Sequence, residues 1–95
     1  MIRRLVTMKF SESGAKTFLE IFEENKNTIL NSQGCRSIKL LTNKNTVFEF
    51  TTDSVWESEE ALNAYRNSEL FISVWKKVKP LFIEPAQAET INLNV

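Results

Sequence analysis

Histidine is absent from this 95-residue chain, and that absence excludes more chemistry than any motif suggests. Neither a Ser/His/Asp nor a Cys/His nucleophile can be assembled, most zinc sites lose their usual ligand, and histidine-ligated haem is ruled out. Cysteine is nearly as scarce. Cys35 stands alone, so it has no intrachain disulfide partner, and a small buried thiol is its plainest role. Charge of one sign is also missing: 12 Lys and Arg balance 12 Asp and Glu. With no net field to gather polyanions, nucleic acid is not an expected partner. No apolar run approaches membrane-spanning length, and the opening MIRRLVTMKF lacks the apolar stretch of a signal peptide, so the expected compartment is the cytoplasm with no membrane association. No repeat, low-complexity tract or long linker divides residues 1–95, which are expected to form a single domain.

What is present suits one compact domain: 42% of residues are hydrophobic and 11% aromatic. A chain of this size hides only about 60 to 65% of the surface it exposes when unfolded, so a subunit partner would help it.

Apolar periodicity divides the chain into elements. Ile2 to Phe10 reads as a strand, with Ile2, Val6, Met8 and Phe10 on one parity and Arg3, Leu5, Thr7 and Lys9 on the other. After Ser11, the residues Ala15, Phe18, Leu19, Phe22, Ile29 and Leu30 recur at helical spacing, up to a stop near Gly34. Cys35 to Thr42 reads as a second strand, with Ile38 and Leu40 on one face and Cys35, Ser37, Lys39 and Leu41 on the other. Asn43 to Asn45 form a polar turn, and Thr46 to Thr52, bearing Phe48 and Phe50, return as a third strand.

Ser54 and Ser58 both have N-cap character, and Glu59 and Glu60 follow Ser58 where the helix dipole favours carboxylates. Ser68 and Glu69 repeat the signal ahead of Phe71, Val74, Trp75 and Val78. Pro80 disfavours helix at Lys79, and Lys76, Lys77 and Lys79 meet the carbonyl end of that helix. Beyond Pro85, Ile91, Leu93 and Val95 alternate with Thr90, Asn92 and Asn94 as a fourth strand.

This order, βαββαβ with the second helix in two parts, predicts an α+β protein. Its four-stranded antiparallel sheet carries the helices on one face in the ferredoxin-like arrangement. The other face is expected to carry Leu5, Thr7, Cys35, Ser37, Leu41, Val47, Thr51, Ala88 and Thr90, with Lys39 and Glu49 as a candidate ion pair. That set is too apolar for solvent and too polar for a dry core, so a homodimer built sheet to sheet is expected.

The stretches GCRSIKLL, FEFTTDSVWESEEALNAYRNSELFISVWKKVKPLF and PAQAETINL resemble the antibiotic biosynthesis monooxygenase family of dimeric α/β barrel proteins. The resemblance implies protomers that join their sheets into a barrel, with a ligand pocket between the helices and the sheet of each. It also implies activities that include cofactor-independent oxygenation of anthrones and quinols and, in another branch, haem degradation. That branch resembles a site with a first-strand asparagine and a helix histidine; here Thr7 stands on the strand and there is no histidine. Ser37 likewise stands where related members often carry a histidine.

The reading that follows is a cofactor-less monooxygenase for a small aromatic phenol, anthrone or quinol, with neither metal nor cofactor. The alternative is a non-catalytic dimer that binds a small molecule or serves as a scaffold. Candidate pocket residues are Phe22, Phe48, Phe50, Trp56, Tyr65, Phe71 and Trp75, with Thr7, Asn63 and Arg66 as polar anchors. Tyr65, or a water held by Thr7 and Thr51, is a candidate proton acceptor. Each has a plainer role: core packing for the phenylalanines and tryptophans, and an ion pair with Glu69 for Arg66.

Overall fold

A computed structural model describes residues 1–93. The element order is β1 (Ile2–Lys9), α1 (Glu12–Leu30), β2 (Cys35–Thr42), β3 (Glu49–Trp56), α2 (Glu59–Arg66), α3 (Glu69–Val78) and β4 (Gln87–Asn92). The strands form one antiparallel four-stranded sheet in the order β2-β3-β1-β4, which is the ferredoxin-like arrangement. Asn94 and Val95, the end of the expected fourth strand, lie outside the described residues.

Local chemistry sets the helix starts. Ser11, Ser58 and Ser68 each accept a hydrogen bond from the backbone N–H three residues on, at Gly14, Ala61 and Phe71, and so satisfy a donor that the first turn leaves unpaired. Lys76 and Lys77 occupy the last turn of α3. A single 3-10 turn, Lys79–Leu81, then carries Pro80 and ends the helical run, as proline requires.

Along α1, Ala15, Phe18, Phe22 and Ile29 are buried against the sheet. Leu19 and Leu30, expected on the same face, are instead partly exposed, because a helix has a narrower buried stripe than its full set of apolar residues. The main core joins Met8, Phe10, Ala15, Phe18, Phe22, Phe50 and Val78. A second cluster at the other end of the sheet joins Ile2, Trp56 and Leu62.

Strand pairing corrects several sequence expectations. β3 begins at Glu49 rather than Thr46 and runs on to Trp56, so Val47 lies in the preceding turn, 74% exposed. Phe48 sits beside it at φ 66°, a left-handed geometry that is costly for an aromatic residue. There its carbonyl accepts from the Phe10 N–H at 3.0 Å, and its ring packs on the main core.

Ser54, expected as an N-cap, is a buried strand residue. Cys35, expected on the open face, packs with Trp56 and Leu62 on the helix face. A bulge between Cys35 and Ser37 pairs them with Trp56 and Val55, and the extra residue reverses the parity. Ala88 and Thr90 also lie on the helix face, since they pair with Val6 and Arg4; Gln87, Glu89 and Ile91 occupy the open face in their place.

Other pairs hold the open face together. Arg3 reaches Asp53 through two parallel bonds, Nε to Oδ1 at 3.0 Å and Nη2 to Oδ2 at 2.9 Å. The Thr7 and Thr51 hydroxyls lie 3.0 Å apart. The expected Lys39–Glu49 pair does not form: Lys39 stands opposite Asp53, while Glu49 contacts Lys9 at 3.9 Å and accepts from Asn43 Nδ2 at 2.8 Å. Among the described residues, no helix is long and apolar enough to cross a membrane.

Candidate functional site

The helices do not close completely onto the sheet. A cavity of about 300 Å³ remains between them, lined mainly by apolar and aromatic side chains from β1, β3, α1, α2 and α3. Its size is at the lower end of small-molecule sites.

The aromatic residues of the wall form a connected series. Trp56 stacks on Tyr65 with centroids 4.7 Å apart, Tyr65 meets Phe71 edge-on at 5.2 Å, and Phe71 stacks on Trp75 at 5.8 Å. Trp75 then meets Phe82 edge-on at 5.5 Å, and Phe82 leads through Phe10 to Phe18. The offset and edge-on arrangements match the ring quadrupoles and hold each ring in place through its neighbours.

Trp56 is fully buried, at 0% exposure. Its Nε1 donates to Ser54 Oγ at 2.9 Å, which answers the need of a buried indole for a partner. Alternation along β3 places both residues on the helix face, two positions apart.

Of the residues singled out in the sequence, the wall includes Phe22, Trp56, Tyr65, Arg66, Phe71 and Trp75. The other four lie elsewhere. Phe50 is buried in the core beside Phe10 and Phe18. Phe48 lies in the turn before β3, and Asn63 points from the exposed side of α2. Thr7 is on the open face, because its position in β1 is odd whereas the cavity meets the even residues Arg4, Val6 and Met8. A water bridging Thr7 and Thr51 would therefore lie across the sheet from the cavity.

Polar groups that sequence reasoning passed over also reach the wall: Arg4, Asn25, Thr52 and Ser54. Arg4 carried the one available signal, since it is the charged residue in the otherwise apolar parity of β1. Its Nη1 donates to Thr90 Oγ1 at 2.7 Å. Burial lowers its pKa, and the nearby Arg66 charge lowers it further. The expected Arg66–Glu69 ion pair is not formed among the described residues.

Tyr65 is the wall's titratable hydroxyl. Burial pushes its pKa up to about 12, with a smaller contribution from Cys35. At neutral pH it is a phenol able to donate a hydrogen bond, so it is poorly suited to accept a proton as a base. Burial also raises the Cys35 thiol, which makes it an inert packing group. Among the described residues, no carboxylate lines the cavity, and no group of three or more His, Cys, Asp or Glu stands in metal-binding proximity.

A family model for antibiotic biosynthesis monooxygenases matches residues 1–76. Among solved structures, a provisionally assigned antibiotic biosynthesis monooxygenase from Nitrosomonas europaea superimposes with a TM-score of 0.91 at 13% identity, over 100% of both chains. A protein with the same provisional assignment from Caulobacter crescentus gives 0.90 at 18% identity, over 97% of this chain and 88% of its own. A conserved protein from Methanosarcina mazei gives 0.90 at 13%, over 95% and 89%. At such identities the structural matches establish the shared fold. Among curated proteins, none matches the sequence significantly.

Proposed function

The chain belongs to the antibiotic biosynthesis monooxygenase family, and on that basis we propose that it is a monooxygenase that needs no cofactor and oxidises a small phenol, anthrone or quinol. The observation that carries this reading is the aromatic cavity between helices and sheet. Flat electron-rich rings pack well against an aromatic wall, and the exclusion of water strengthens every polar contact made inside.

In such a reaction the substrate supplies the electrons. The ring system loses a proton, and its anion transfers one electron to oxygen; the radical pair then joins as a carbon-bound peroxide. Loss of water leaves a carbonyl, so an anthrone methylene and one O2 become a quinone carbonyl and one water. For this chemistry Tyr65 is a hydrogen-bond donor to an oxygen of the bound ring. Arg4 and Arg66 supply positive potential that favours the anion over its neutral parent.

Oxygen uptake with an anthrone or hydroquinone, compared with autoxidation in the same buffer, tests the activity. Steady turnover that falls in Trp75→Ala supports it, and uptake no faster than autoxidation across such substrates refutes it. The lack of a carboxylate or histidine in the wall favours a second reading, a non-catalytic protein that holds a small aromatic molecule. Retained ligand without turnover would identify it.

We also propose that two copies pair through their open sheet faces, where Leu5, Leu41, Val55 and Ile91 accompany the Arg3–Asp53 pair. Native mass spectrometry tests this: a dimer is expected, and a monomer at micromolar concentration refutes it.

A further inference from the structure

The cavity wall has an unbalanced charge. Arg4 projects from the middle of β1 and Arg66 from the last residue of α2, and both line the same space. Over the whole chain the charges cancel, with 12 acidic residues against 12 basic ones, yet no acidic residue is among those that line this cavity. Neither arginine has an ion-pair partner among the described residues, although Arg3, Lys9 and Arg36 all do.

The position of Arg66 at the carbonyl end of α2 has a structural explanation in the helix dipole. Arg4 has none of that kind. It occupies an even position of β1, where its neighbours Ile2, Val6 and Met8 pack against apolar groups. Among the described residues its guanidinium makes one hydrogen bond, to Thr90 Oγ1, and a guanidinium carries five N–H donors. Two like charges that line one partly dry space repel each other, and an oxyanion between them would relieve that repulsion while accepting directed hydrogen bonds.

We propose that Arg4 and Arg66 form an anion subsite, so that the molecule this cavity takes carries an oxyanion, such as a ring carboxylate, on its aromatic body. The proposal rests on the reading of the cavity as a ligand site and adds the charge of the ligand. The aromatic series from Trp56 to Trp75 receives the rings, and the two guanidinium groups receive the negative oxygen atoms. Tyr65, a neutral phenol, contributes a further donor. Selection then works by charge: a neutral aromatic of the same shape leaves the half-buried Arg4 and the exposed Arg66 without an opposite charge.

The test compares 2-naphthoate with its neutral isostere 2-naphthamide, using isothermal titration calorimetry on the full chain. The expected result is that naphthoate binds at least about tenfold more tightly, the scale of one charge-assisted hydrogen bond. In Arg4→Gln and in Arg66→Gln that preference for naphthoate over naphthamide should shrink several-fold. Arg66 is exposed, so Arg66→Gln keeps the test valid if Arg4→Gln folds poorly. Equal affinity for the two probes overturns the anion subsite and leaves the cavity as a neutral aromatic site. Binding of neither probe overturns the subsite together with the ligand-site reading. A naphthoate preference that persists in Arg66→Gln and Arg4→Gln also overturns it, because the charge would then be read elsewhere.

Discussion

Replacing Trp56 with phenylalanine probes the point where core and cavity meet. The indole is fully buried, donates to Ser54 Oγ at 2.9 Å and stacks on Tyr65 at 4.7 Å. Phenylalanine keeps most of the stack but loses the donor, leaving the buried Ser54 hydroxyl short of a partner at about 1 to 3 kcal/mol. The smaller ring opens on the order of 40 Å³, worth about 1 kcal/mol at roughly 24 cal/mol per Å³. A total loss of about 2 to 4 kcal/mol is expected, a large part of the roughly 5 to 15 kcal/mol typical of a folded domain. Urea unfolding followed by far-UV circular dichroism measures it, provided that the slope m stays constant. Ser54→Ala and the double variant complete a cycle, and a coupling of about 1 kcal/mol is expected for the shared bond. If Trp56→Phe costs less than about 0.5 kcal/mol, or the cycle is additive, the indole bond is not what holds this corner together.

Gly34 has φ 82°, and a Cβ built there would stand 2.5 Å from the Ala61 Cβ. Gly34→Ala should therefore destabilise the fold by about 1 to 3 kcal/mol through backbone strain and overpacking, and an unchanged urea midpoint would contradict this. The Asp53 carboxyl is held below its ordinary value of 3.8, chiefly by its hydrogen bond from Arg3. Its contribution is present above that value and is lost as pH falls through the lower folded value, so the stability gap between wild type and Asp53→Asn should narrow from pH 7 to pH 2.5. A gap that is constant with pH would exclude the linkage. Tyr65, with its pKa at about 12, should leave no inflection near neutrality in a pH profile of oxygen uptake. Any inflection should shift when the substrate is changed and persist in Tyr65→Phe; an inflection that vanishes in Tyr65→Phe would restore the tyrosine as the proton acceptor.

Much of the fold was legible because it depends on near neighbours in the chain. Serine caps at Ser58 and Ser68, the proline at position 80 and the apolar spacing of α1 and α3 all act within a few residues. Six of the ten candidate pocket residues, Phe22, Trp56, Tyr65, Arg66, Phe71 and Trp75, line the cavity because an aromatic residue on a core-facing stripe borders whatever space the core leaves.

The sequence by itself determined the order of elements, the caps at Ser58 and Ser68 and most of the apolar stripe of each helix, since periodicity and capping are local properties of the chain. Only the tertiary structure decided the rest. The bulge at Cys35, the start of β3 at Glu49 and the face of Ala88 and Thr90 are matters of register, and a strand's register exists only once its partner is in place. A packed corner and an open pocket use the same residues, so the cavity appears only where α1, α2 and α3 stop short of the sheet. For the same reason Arg4 is an exception in its strand until the fold brings Arg66, 62 positions away in sequence, to the same space.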